Sequence, residues 1–197
     1  IDADDADSLA KLKDYRHVIV KNPRGCVKAW NAAAAESNGC VLLQLSDDWT
    51  PCHDWDALIW EAFEGQITSD KLKPVKDVTP KDIAETPLVL AIHDGHRTDS
   101  LLCMAILTRA RYLEQSEETN FPCLFHPDYF GVFSDNEFTA RAYDDGVVVQ
   151  AQHIVFSHDH PVYEKEKWDA TYRAQNDPAR YAEGLAIFNR RNPEHAQ

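Results

Sequence analysis

The chain has 197 residues, with 20 Lys and Arg against 33 Asp and Glu, a formal net charge of −13 with His neutral. That length fits one domain and buries a real hydrophobic core without disulfide staples. Apolar residues make up 44% and charged residues 27%, which excludes a disordered chain, and the acidic surplus disfavours nucleic acid as a partner, because sequence-independent binding rests on many Lys and Arg contacts to phosphate. An acidic protein that handles phosphates needs a local remedy, and a divalent cation supplies one.

The chain opens on Ile1 with Asp2, Asp4, Asp5 and Asp7, carries no apolar leader, and has no apolar run near the length of about 20 residues that a membrane span needs. The five cysteines (Cys26, Cys40, Cys52, Cys103, Cys123) are odd in number, scattered and free of C-x-x-C spacing. Together these features predict a cytoplasmic protein with reduced thiols and no zinc-thiolate site.

Short apolar runs alternate with segments of helical period, which predicts an α/β fold. Residues 17–20 read as a short buried strand. Residues 26–38 read as an Ala-rich helix with Val27, Trp30 and Ala34 on one face, stopped at Asn38-Gly39. The almost wholly apolar run 40–45 reads as a central parallel strand, ending in Ser46-Asp47-Asp48-Trp49. A helix over 54–64 follows, with Gly65 as its stop. Residues 66–86 are polar, with Pro74 and Pro80 inside and Pro87 next to them, and read as a long excursion with at most a short element. Residues 88–92 form another strand, ending in His93-Asp94-Gly95-His96. Then come a helix over 100–113, a helix over 135–143, a long strand over 147–156 ending in His158-Asp159-His160, two helices over 165–191 broken near Asn176-Asp177-Pro178, and a frayed polar tail.

Three predicted strands thus end in metal-competent side chains. In parallel α/β sheets ligands bind beyond the carboxyl ends of the strands, so neighbouring strands would bring the three clusters to one rim. Asp47-Asp48 can be a simple strand-to-helix turn. Two adjacent carboxylates repel each other, however, and that cost is sensible when a cation sits between them and a substrate; oxygen ligands suit Mg²⁺ or Mn²⁺. Ser134 and Glu137 match a capping box, S-x-x-E, and Asp135 between them can also serve as a general base if it faces the site. His158 and His160, two apart, project to one face if the strand continues. His17, His53, His126, His153 and His195 have no partner visible in the sequence.

These pieces resemble the family-2-type glycosyltransferases of glycosyltransferase-A fold, which use nucleotide-sugar donors. The resemblance runs through Trp30-Asn31 with Ala32 to Ala35 and Ser37-Asn38-Gly39, and through Val-Leu-Leu-Gln-Leu-Ser-Asp-Asp-Trp-Thr-Pro at 41–51, with Trp55-Asp56 after it. It continues in Phe133-Ser134-Asp135-Asn136-Glu137-Phe138 with Arg141-Ala142, and in Ile154-Val155-Phe156-Ser157-His158. It implies a Rossmann-like domain over 1–162 with a mostly parallel central sheet flanked by helices, and a C-terminal helical extension over 163–197. It implies that Asp47 and Asp48 bind a divalent metal (Mn²⁺ or Mg²⁺) and the donor diphosphate or ribose, with His158 a further metal or diphosphate ligand and Asp135 the base on the acceptor hydroxyl. Asp4 and Asp5, at the end of what resembles the fold's second strand, would contact the nucleotide, so the family's first strand-helix unit would be missing from this chain. Leu45-Ser46-Asp47-Asp48 lacks the first Asp of a strict D-x-D, and which of the two carboxylates ligates metal stays open.

The expected reaction is transfer of a sugar from a nucleoside-diphosphate sugar to an acceptor hydroxyl on a glycan or another molecule, with inversion. Acceptor contacts are expected from loops at the strand ends, in 66–86 and at Asp94 and Gly95, together with Trp49 and Glu137. Two rivals stand beside this reading. One is a metal-dependent hydrolase of phosphoesterase type using His93, Asp94, His96, His158 and His160, which would favour Zn²⁺ or another transition metal. The other is a non-catalytic nucleotide-sugar-binding relative.

Overall fold

A computed structural model describes residues 1–21, 25–71, 74–102, 104–163, 168 and 170–196. It is an α/β structure built on one five-stranded sheet of spatial order β1-β4-β3-β5-β2. The strands are β1 (Val41–Leu43), β2 (Trp49–Pro51), β3 (Val89–His93), β4 (Ile106–Thr108) and β5 (Val148–His158). Helices α1 (Ala6–Lys11), α2 (Gly25–Ala35), α3 (Trp55–Lys71), α4 (Pro80–Glu85), α5 (Arg109–Glu117), α6 (Ser134–Asp144), α7 (Ala170–Gln175) and α8 (Pro178–Arg191) complete the described elements, with 3-10 turns at Val75–Asp77 and Pro193–His195. Among the described residues no helix is long and apolar enough to cross a membrane.

The sheet is mixed, which corrects the expectation of a mostly parallel one. Only β3 and β5 are parallel neighbours; β1 with β4, β4 with β3, and β5 with β2 are antiparallel. The cause is β4, which occupies part of the stretch 100–113 that the amphipathic pattern assigns to a helix. Loop 94–105 carries no described helix and turns the chain back at the rim, and a connection without a crossover helix returns a strand antiparallel. Two reversals still leave β1, β3 and β5 running the same way. Their carboxyl ends therefore share one rim, as expected, although β1 is an edge strand rather than a central one.

Period-2 alternation divides the core between the two faces of the sheet. Val89, Ala91, Leu42 and Leu107 face one cluster with Val27 of α2, Tyr112 of α5, Phe138 of α6 and Phe188 of α8. Leu88, Leu90, Ile106 and Val149 face the other, with Phe63 and Ile67 of α3 and Ile83 of α4. Burial on both faces explains why these strands read as continuous apolar runs. Helix α3 begins at Trp55 but runs past Gly65 to Lys71. A mid-helix glycine costs only about 1 kcal/mol, and burying Ile67 completely outweighs it. Residues 17–20 supply a single parallel bridge, Asp2 with Val20, outside the sheet. The part of the predicted helical stretch at 165–167, and Cys103, lie outside the described residues; Cys26, Cys40, Cys52 and Cys123 are free thiols.

The segment 44–48 leaves edge strand β1 and enters the opposite edge strand β2. Strands about 4.8 Å apart put the edges of a flat five-stranded sheet roughly 19 Å apart, and the six links from Leu43 to Trp49 reach about 20 Å only if fully extended. Because residues 47 and 48 form a turn, the sheet has to curl, and the register between β3 and β5 shifts between Ala91 and His93. The acidic pair is thereby stretched across the rim. A second constraint on the rim is Gly25, which opens α2 at φ +73°, where a Cβ would lie 2.0 Å from the Phe130 carbonyl oxygen. Gly25→Ala is expected to cost about 1–3 kcal/mol through this overlap and its positive φ, read as a lower midpoint in urea unfolding.

Candidate functional site

Backbone hydrogen bonds stitch the three strand-end clusters together. The His158 N–H donates to the Asp94 carbonyl at 3.0 Å, and the Asp159 N–H donates to the Asp48 carbonyl at 2.8 Å. Strand pairing sets Trp49 opposite His158, and their rings stack with centroids 4.0 Å apart. The His158 Nε2 lies 3.1 Å from Asp48 Oδ2, and the Tyr172 hydroxyl of α7 donates to the same oxygen. The other oxygen, Asp48 Oδ1, is buried and has no hydrogen-bond partner among the described residues. A buried carboxylate oxygen without a partner is costly unless something positive meets it. Burial holds the His158 imidazole below its ordinary pKa against the pull of Asp48, so its neutral form is favoured.

These groups open into one cleft of about 970 Å³, which also collects Asp47, Ser46, Asp135, Asn136 and the tips of α7 and α8. Asp47 is exposed, Asp48 half-buried. Asp135 begins the first turn of α6, directly after the loop 130–133. Desolvation raises its carboxyl pKa, offset in part by the Asn136 N–H at 3.0 Å and by the charge of Arg97. Asp47, Asp48, His158, Trp49 and Asp135, separated by up to 111 positions, thus line one cleft. Arg97, Tyr172 and Tyr181 line it too, and the sequence held no sign that they would.

Other candidate residues have different surroundings. Asp5 caps α1, its carboxylate accepting the Ser8 N–H at 3.0 Å, and neither Asp4 nor Asp5 borders the cleft. Asp94 is 2% exposed. Burial pushes its carboxyl up, but the Arg97 and His96 N–H groups at 2.7 and 2.9 Å more than compensate and hold it below the usual value. Asp94 therefore shapes the turn that Gly95 completes at φ +88°. The capping box expected from Ser134 and Glu137 does not form. Phe133, at φ 71°, holds the cap position, and the Ser134 hydroxyl donates to the Gly131 carbonyl at 2.6 Å. Glu137 turns into the protein instead, meeting Tyr129, Arg191 and Asn192.

Asn31 of the Ala-rich helix, whose role was not legible in the sequence, braces the backbone at Phe125, a residue that lines the cleft. Its Oδ1 accepts the Leu124 and Phe125 N–H groups at 2.7 and 2.9 Å, and its Nδ2 donates to the Phe125 carbonyl at 2.8 Å. Among the described residues one trio of ligand-type side chains has its atoms within 4.8 Å of one another, and it is Asp144, Glu194 and His195 on the surface. There the His195 Nε2 pairs with Asp144 at 2.7 Å. Neither the carboxylates with His158 nor the set His93, Asp94, His96, His158 and His160 makes such a closed trio.

Compared with models of known families, with curated proteins and with solved structures, the chain matches none significantly.

Proposed function

We propose that the chain is a divalent-metal-dependent glycosyltransferase that moves a sugar from a nucleoside-diphosphate sugar to an acceptor hydroxyl with inversion. The observation that carries this reading is the single cleft in which Asp48, with its buried unpartnered oxygen, and Asp135, with its raised pKa, both lie. The residues suit Mg²⁺ or Mn²⁺. Such a cation takes one or two protein carboxylates and completes its shell from phosphates and water, so an orphaned Asp48 oxygen beside an exposed Asp47 is an adequate donor set, with His158 adjacent. A zinc hydrolase needs about three converging protein ligands, and the histidine set supplies no such trio among the described residues.

When bound, the cation would neutralise charge on the departing nucleoside diphosphate as a Lewis acid. The remaining steps belong to the chain's own groups. His158 and Tyr172 hold Oδ2 of Asp48 and so fix the orientation of its carboxylate. Asp135 takes the proton from the acceptor hydroxyl as that oxygen bonds to the anomeric carbon and the bond from that carbon to the diphosphate oxygen breaks. A single displacement of this kind inverts the configuration.

Titration calorimetry with nucleoside diphosphates and Mn²⁺ tests the reading. The intact protein is expected to bind at least one of them with Mn²⁺, and Asp48→Asn to weaken that binding at least about tenfold. An intact protein that binds none, or a variant that binds as well as its parent, would sink it.

A further inference from the structure

The wall that carries Asp135 is aromatic, and Tyr181 stands out on it. The residue is 51% exposed, yet its ring is held in place, because buried Phe133 meets it in a T-shaped contact with centroids 4.9 Å apart. Tyr181 and Asp135 line the same cleft, so an exposed, pre-positioned aromatic ring and the carboxylate share one space. Phe130 and Trp30 line the same cleft, with the Arg180 guanidinium packed 3.8 Å over the Phe130 ring. A volume of about 970 Å³ lies at the upper end of single-ligand pockets, which run to about 1,000 Å³, and leaves room for more than one sugar-sized group.

Charge narrows what that face can take. Among the described residues lining the cleft, the carboxylates Asp47, Asp48, Asp135 and Asp159 stand against the guanidinium of Arg97, itself bonded to Asp99 at 2.5 and 2.9 Å, and against that of Arg180 packed on the Phe130 ring, so the acidic groups outnumber the basic ones. A cation and a diphosphate donor would roughly cancel each other, leaving the acidic field in place to repel a further anion. An aromatic ring offers an apolar face to a partner that is apolar on one side and polar at its edge. A pyranose ring, with C–H groups on its face and hydroxyls round its rim, is such a partner.

We infer that Tyr181 is the platform of a subsite for an uncharged pyranose ring in the cleft that Asp135 also lines. The inference rests on the transferase reading only for that ring's role as acceptor, not for its binding. Calorimetry and ligand-observed NMR with neutral tetrasaccharides (cello-, malto- and chito-tetraose), and with tetragalacturonate as the anionic counterpart, test it without metal or donor. At least one neutral tetrasaccharide is expected to bind, tetragalacturonate to bind at least tenfold more weakly, and Tyr181→Ala to weaken the neutral ligand about tenfold. Tyr181→Phe, which keeps the ring, is expected to bind like the parent, and unchanged thermal unfolding of both variants excludes a folding defect. The inference is overturned if no neutral probe binds, if Tyr181→Ala binds like the parent, or if the uronate binds as well. Tyr181-dependent binding of a neutral sugar in a protein that ignores nucleoside diphosphate with Mn²⁺ upholds this subsite and removes the transferase reading instead.

Discussion

Replacing Asp135 by Asn is expected to lower turnover by about 10²–10⁴-fold, the range that a positioned base contributes, while leaving the affinity for nucleoside diphosphate with Mn²⁺ unchanged. Asparagine keeps the oxygen that accepts the Asn136 N–H and loses the capacity to take a proton. Unchanged turnover removes Asp135 from the mechanism. Burial raises this carboxyl above its ordinary value of 3.8, so the acid limb of kcat/KM should fall above that value, activity being lost as pH drops through the raised pKa. Stability runs the other way. A carboxyl whose pKa is higher in the folded state opposes folding once ionised, and the cost grows as pH rises from the unfolded to the folded value. At neutral pH Asp135→Asn should therefore unfold no earlier than the parent, and a clear fall in Tm would mean that the residue is structural.

Glu137→Ala is expected to be the most destabilising of these changes, by about 3–5 kcal/mol, because it strips one partner from a buried charge network. Glu137 is 3% exposed. The Arg191 guanidinium donates to its two oxygens at 2.8 Å each, and the Tyr129 hydroxyl donates to Oε2 at 2.7 Å. Removing the carboxylate leaves these buried donors without their acceptor. For a chain of this length the loss corresponds to a fall in Tm of roughly 6–20 °C, and a change below about 1 kcal/mol would show that water replaces the carboxylate. Burial pushes the Glu137 carboxyl up, but the Arg191 and Tyr129 hydrogen bonds win and hold it below its ordinary value of 4.5. Its contribution is thus complete above that value and is lost as pH falls through the lower, folded one. The network also ties α8, which carries Tyr181, to α6, which carries Asp135, so Glu137→Ala should loosen the aromatic wall as it lowers stability.

Long, strongly patterned elements were legible before the fold was known. Helix α6, strand β5 and the helix pair broken at Asp177-Pro178 fall close to the expected positions, because their apolar periods run over many residues and Asp177 caps α8 through the Ala179 N–H at 2.9 Å. Strands β2 and β4 escaped; β2, Trp49–Pro51, holds a polar residue and a proline and has no apolar run to mark it. Ile106 to Thr108 was absorbed into an amphipathic stretch that truly becomes helical only at Arg109. Likewise Ser134-x-x-Glu137 satisfied a capping pattern, but Arg191, 54 residues away, offered Glu137 a stronger partner than the helix end did.

The surplus of acid over base, the apolar runs buried on both faces of a sheet, and the placement of Asp47-Asp48, Asp94 and His158 just beyond three of those runs are properties of the amino-acid order alone. They put polar groups at the ends of those runs, and the common direction of β1, β3 and β5 then brings the clusters to one rim. Strand direction, the curl that stretches 44–48 across the rim, the grip of Tyr172 on Asp48 and the exposure of Tyr181 were decided by the tertiary structure. Each depends on a hydrogen bond or ring contact between residues far apart in the chain, and such pairs leave no local signal: Tyr172 meets Asp48 across 124 positions.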